Sequence, residues 1–214
     1  MTPLAGRERA ALCDTFDRVG SKAPTLCGSW TTSELAAHLI VRERHPSAIG
    51  IAVTAASGWT ARTQREVASR SFDQLVRQLR SGPPWWSPLG LPGVDTAANT
   101  LEFFVHHEDV RRAVAPWDQR SLPEEDLIQL WHLLGRRAAL FQRRSSISVT
   151  IRWIGYGEFV VREGETDQVK PTVALEGDSA ELALYLHGRQ SHAMVELSGT
   201  PDDITAFEQL DLSL

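Results

Sequence analysis

At about residue 146 the hydrophobic pattern of this chain changes period, and that change constrains the fold more than any other feature. Ser146-Ile-Ser-Val-Thr-Ile-Arg-Trp153 alternates polar and apolar residues, the period of two of a half-buried strand. The residues before it read mostly as helix. Helices in one run, followed by strands mixed with helices, predict two layers or two domains, α and then α+β. The expected division is 1–145, a helical unit, and 146–214, a small α+β unit.

Local signals place the helices. The first runs from Leu4 to about Val19, with Ala10, Ala11, Phe16 and Val19 as core candidates. After a loop over 23–30, Thr31-Thr-Ser-Glu34 has the form of a capping box. The second helix then continues to about Arg44, where His45-Pro46 stops it. A third, more polar helix is expected over 60–81, before an aromatic, proline-rich segment over 83–93 that cannot be regular helix. A fourth begins near Val94 or Asp95 and ends near Ala115-Pro116. Pro123-Glu-Glu opens a fifth, which reaches about Arg143. Beyond the first strand, further strands are expected over 158–162, 171–177 and 192–199. Asp178 caps a short helix between the last two, and Pro201 opens a final one.

Composition narrows the function. A chain that is 42% hydrophobic and 23% charged has an ordinary globular balance, with no apolar stretch long enough to span a bilayer. The first residues lack the apolar core of a signal peptide, so a cytoplasmic location is expected. A net charge of −5 argues against a general nucleic-acid binder. Arg111-Arg112, Arg136-Arg137 and Arg143-Arg144 read as solvated helix faces. The two cysteines, Cys13 and Cys27, form neither a disulfide framework nor a Cys-x-x-Cys pair. Cys27 precedes a helix start that would activate it; the alternative is a buried, inert thiol.

The chemistry concentrates in the fourth helix. Glu102 and His106 are four apart and stack one turn above each other, so a carboxylate oxygen and an imidazole nitrogen can meet on one metal ion. Asp109 continues the stripe. A third ligand would come from another helix. His38 is the candidate, at the edge of the second helix's apolar stripe beside Leu39. Two histidines and one carboxylate suit zinc, nickel, iron or cobalt with positions left open, the catalytic type of site. A hydrogen-bonded core histidine and a chance Glu-x-x-x-His spacing would look the same. His107 points about 100° away from His106 and is not expected to share its metal. His45, Glu43 and Glu108 read as helix-end, solvated or ion-paired residues.

Trp30-Thr-Thr-Ser-Glu-Leu-Ala-Ala-His38, followed by Glu102-x-x-x-His106-x-x-Asp109-x-x-x-Ala113, resembles the mycothiol-dependent maleylpyruvate isomerase family, within the DinB-like metal-binding group. The stretch from Thr25 through Arg44 looks closer still to a metal-binding subfamily of that group. Gly177-Asp-Ser-Ala-Glu-Leu-Ala-Leu-Tyr-Leu-His-Gly-Arg189 is similar to the small domain that follows the bundle there, so the resemblance covers nearly the whole chain. It implies an α+β protein: an N-terminal DinB-like four-helix bundle, then a small α/β, sterol-carrier-like domain. It also implies a divalent metal, zinc by expectation, on His38, Glu102 and His106. Asp109 would support the site from behind, accepting the far N–H of a ligand histidine; pairing with Arg112 or Arg42 is the alternative. Arg189 would bind an anion as a catalytic residue, or else complement a helix end. Trp85, Trp86 and Tyr156 would line a pocket or pack as core aromatics.

The resemblance further implies that the metal activates a low-molecular-weight thiol, mycothiol or a similar cosubstrate, for addition or transfer to an electrophilic small molecule. No protein nucleophile is then required. A hydrolase with metal-activated water and a non-catalytic metal or ligand binder are the rival readings, and all three keep the same ligands.

Overall fold

The computed structural model describes residues 3–44, 57–84, 87, 94–142, 148–161 and 172–209. His45, Trp85, Trp86 and most of the 83–93 segment lie outside the described residues. By contacts the chain divides into two compact units, 1–119 and 120–214.

The first unit holds five helices among the described residues: α1 (Leu4–Val19), α2 (Thr32–Arg44), α3 (Ser57–Ala68), α4 (Phe72–Arg80) and α5 (Val94–Arg111). Gly20 ends α1 at φ +81°, a left-handed position that glycine adopts without a Cβ clash. The capping box of α2 forms: Glu34 Oε2 accepts the Thr31 backbone N–H at 2.7 Å. The helix expected over 60–81 is instead two. Ser69 Oγ turns back onto the Glu66 carbonyl at 2.7 Å, and Ser71 is extended, so the serines break the helix and open α4.

Apolar spacing then sets the packing. α1 lies against α5 and α4, and α2 against α3 and α4. Leu12, Phe16, Leu35, Leu39, Leu75, Leu79 and Phe103 are fully buried between them. Ala10 and Val19 face outward, because the buried stripe of α1 runs through Leu4, Ala5, Leu12 and Phe16. α5 stops at Arg111, short of the expected Ala115.

The second unit begins with α6 (Glu124–Gln142), whose first turn carries Glu124, Glu125 and Asp126. Although expected in the helical unit, α6 packs on β2 and α7. The strands β1 (Val149–Trp153), β2 (Gly157–Val161), β3 (Val173–Glu176) and β4 (Glu196–Gly199) form one sheet in the order β2-β1-β3-β4. β1 and β3 are parallel, and the other pairs are antiparallel. Ile151 is paired with Phe159 and Leu175, so one face is apolar. Trp131 of α6 meets it at 4.9 Å from Phe159 and 6.0 Å from Trp153.

α7 (Ser179–Tyr185) is capped by Asp178, as the sequence predicts, with Oδ1 accepting from Ala180 and Glu181. The last strand, expected from His192, starts only at Glu196, and His192 instead closes a 3-10 turn, Gln190–His192. α8 (Pro201–Glu208) follows, its Phe207 stacked on Tyr185. Tyr156 stacks on Trp153 at 3.7 Å, half-exposed. No helix among the described residues is long and apolar enough to cross a membrane.

Candidate metal centre

α5 has two working faces. One carries Phe103, His107 and Val110 inward. His107 turns away from the neighbouring histidine, as expected, and is buried against Glu8 (3.0 Å) and Thr15 (3.1 Å) of α1. The other carries Asn99, Glu102, His106 and Asp109, spaced three, four and three apart.

α2 brings His38 to that second face. His38 Nε2 lies 3.4 Å from Glu102 Oε1, and His106 Nε2 lies 3.3 Å from the same oxygen. The three donor atoms fall within 4.8 Å of one another. Such separations match two donors about 2.1 Å from one ion at a near-tetrahedral angle. His38 and His106 rings meet edge to face at 5.5 Å, and Trp30 leans on His38 at 5.2 Å.

Asp109 fixes which nitrogen of His106 is available. Its Oδ2 lies 2.8 Å from Nδ1, so an Nδ1–H donated to the carboxylate leaves the Nε2 lone pair facing Glu102 and His38. The carboxylate is completely buried. It also accepts the Cys27 thiol at 3.0 Å. The 24–31 loop is tied down for this contact: Leu26 N–H donates to the Asp109 carbonyl, and Thr25 Oγ1 joins the Cys27 N–H to the Trp30 carbonyl. Gly28 takes the left-handed position at its tip, φ +63°.

Arg42, one turn beyond His38, reaches across to α5. Its Nε is 3.3 Å from Glu102 Oε1, and Nη1 donates to Asn99 Oδ1. Burial alone would raise the Glu102 pKa, but Arg42, then His106 and His38, outweigh it and hold the carboxyl well below its usual range. For metal-free His106 the balance is reversed. Burial would lower its pKa, but hydrogen bonds to Asp109, Cys27 and Glu102 hold it well above the histidine range.

Cys27, His106 and Asp109 also converge, with Asp109 Oδ2 hydrogen-bonded to both the Cys27 thiol and His106 Nδ1. The set on His38, Glu102 and His106 instead brings two imidazole Nε2 atoms to one carboxylate oxygen, donor types that suit a divalent ion. Two neutral imidazoles and one carboxylate make a three-donor arrangement with room for exogenous ligands.

Other residues fall elsewhere. Glu43 is buried in an ion pair with Arg9. Glu108, equally buried, takes Arg112 at 2.6 Å and Arg111 at 2.9 Å. Arg112 is therefore not part of a solvated face; it is 2% exposed, and its guanidinium lies over Trp117. Arg189 belongs to the second unit, where its guanidinium donates to the His187 carbonyl just past α7. Cys13 is buried, its thiol pushed up to about 12 by burial.

Cys27, which the sequence leaves as either activated or inert, and Asn99, which no motif marks, both join the site. Both carried a signal. Asn99 precedes Glu102 by three on its stripe, and Cys27 sits in the loop leading into the helix that bears His38.

No family model matches the chain, and no curated protein matches it in sequence. Solved structures with the same fold include mycothiol-dependent maleylpyruvate isomerase (TM-score 0.58) and a histidine-to-alanine variant of that enzyme (TM-score 0.59). Each is 16% identical, over 94% of this chain and 92% of that chain. The resemblance read from the sequence therefore holds at the level of the fold, a mixed α+β architecture shared along nearly the whole chain.

Proposed function

We propose that this chain is a metal-dependent enzyme that activates a low-molecular-weight thiol, of the mycothiol type, for addition or transfer to an electrophilic small molecule. The observation that carries the reading is the convergence of His38 Nε2 and His106 Nε2 on Glu102 Oε1, with Asp109 fixing the tautomer of His106. The fold shared with a mycothiol-dependent isomerase supports the thiol as cosubstrate.

His38, Glu102 and His106 would hold the ion, zinc by the resemblance read from the sequence, with a donor set that also suits nickel, iron or cobalt. A divalent ion held there would supply Lewis acidity, lowering the pKa of a thiol at the site. The protein's own groups do the rest. Asp109 keeps the Nδ1 proton of His106 in place, and Trp30 walls one side of His38. Cys27 donates its hydrogen to Asp109, which leaves the attacking sulfur to the cosubstrate. That sulfur, as thiolate, adds to the electrophilic carbon of an activated double bond, whose π pair moves onto the conjugated carbonyl as an enolate. If the pair returns after rotation about the resulting single bond, it re-forms the double bond and expels the thiolate, and the product is an isomer; if the enolate instead takes back the proton the thiol released, the product is an S-conjugate. Arg189, in the second unit, keeps the anion-binding role that the resemblance implies, and Arg189→Gln should lower activity while metal binding stays unchanged.

The test is cobalt substitution. Cobalt-loaded protein should develop thiolate-to-cobalt charge transfer on addition of mycothiol, and His38→Ala or Glu102→Ala should take up no cobalt. Cobalt uptake without a thiol response would replace this reading by the hydrolase or the binding protein. Unchanged metal stoichiometry in both variants would remove the site itself.

A further inference from the structure

We infer that Arg42 sets the charge of the metal centre, and so makes its open positions selective for anionic ligands. The inference deepens the metal reading above and rests on it.

Arg42 is held in place at two points. Its Nε lies 3.3 Å from Glu102 Oε1, the oxygen both imidazoles face, and Nη1 is bonded to Asn99. Asn99 is fully buried one turn before Glu102, and the Arg42 side chain is only 14% exposed. A planar guanidinium fixed in this way keeps its charge beside the site and cannot be deprotonated.

Both imidazoles are neutral when they ligate. A divalent ion, Glu102, Asp109 behind His106, and Arg42 together leave one net positive charge; without Arg42 the group is neutral. Among the described residues, other charges close by have partners of their own: Glu43 with Arg9, Glu108 shared by Arg111 and Arg112, and Glu8 with His107. A residual charge in a partly desolvated site acts strongly on whatever enters it.

Two roles for Arg42 therefore differ in sign. If it only holds Glu102 in position, removing it weakens metal and thiol binding together. If it sets the charge, removing it relieves repulsion of the ion and tightens metal binding, while the thiolate loses attraction and binds more weakly.

The experiment compares wild type, Arg42→Gln and Arg42→Lys. Cobalt affinity is measured by competition with a chromophoric chelator. Cobalt-loaded protein is then titrated with 2-mercaptoethanol, and with imidazole as a neutral ligand. We expect Arg42→Gln to bind cobalt at least roughly fivefold tighter and the thiol weaker by a similar factor, with imidazole unchanged. Arg42→Lys should stay close to wild type. In wild type alone, mercaptoacetate should bind more tightly than 2-mercaptoethanol, and cysteamine least, a ranking that needs no variant to fold. Parallel loss of cobalt and thiol in Arg42→Gln, or the reverse ranking, would overturn the inference. A wild type that bound no cobalt would remove the metal reading itself, whereas cobalt bound with the wrong signs would remove only the role of Arg42.

Discussion

Asp109→Asn is the sharpest test of how the centre is built. The change is isosteric and removes one negative charge from a carboxylate with no solvent exposure. The amide oxygen can still accept from His106 Nδ1, so the ring is not simply released. What is lost is the charge that strengthens that bond at 2.8 Å and raises the basicity of Nε2, together with the strongest acceptor for the Cys27 thiol at 3.0 Å. Partners behind a ligand histidine are typically worth ten- to hundredfold in metal affinity. The expected loss is therefore about 1.4–2.7 kcal/mol of binding free energy. Competition with a chromophoric chelator measures it, and a urea melt of the metal-free protein checks the fold. The variant should melt cooperatively, since the amide can still satisfy its neighbours. Metal affinity equal to wild type in folded Asp109→Asn, while His38→Ala binds none, would refute the idea that Asp109 tunes His106.

Other outcomes follow from the same geometry. In metal-free protein the Glu102 carboxyl is lowered, so its stabilising share is present above about 4.5 and fades as pH falls through the folded value. His106 is raised, so its share is complete below about 6.5 and is lost as pH rises through the folded value. The metal-free protein should therefore gain most from this pair between those limits, read from urea melts across pH. Metal must displace the His106 proton, so affinity should rise about tenfold per pH unit from pH 6 to 7, and a flat profile would contradict the assignment. Leu79→Ala, at a fully buried position of the first core, should cost about 2–5 kcal/mol in chemical denaturation. Asp178→Ala removes the cap of α7 and should cost about 1 kcal/mol, seen as a lowered melting temperature with the site's metal affinity unchanged.

The shared face of Glu102 and His106 was legible because helical spacing is rigid. Once Glu102 and His106 are on one helix, their shared face follows from geometry. The fold class was legible from the change of period near residue 146. What stayed hidden depended on tertiary contacts or on competition between local preferences. Cys27 lies 82 residues from Asp109, and only the tethered loop brings them together. Arg112 looked solvated because Arg-Arg pairs normally are, yet Glu108 and Trp117 enclose it. The break at Ser69–Ser71 was masked by a polar stretch that keeps helical composition on both sides, while the serine hydroxyl settles the contest for the backbone. α6 has a helix sequence like those before it; only its contacts with β2 and α7 count it with the sheet.

His38 on α2, and Glu102 and His106 on α5, sit on helices whose opposite faces are buried in a common core, and this bears on how fast and at what cost an ion would be taken up. α5 cannot rotate to re-aim Glu102 without disturbing Phe103, beneath Arg9, and His107, between Glu8 and Thr15. The ordering of these side chains is therefore completed when the chain folds, before any ion arrives. Uptake should be a single fast phase, unlike the coupled folding of a zinc finger. A strong chelator should strip the ion and leave the helical circular dichroism intact.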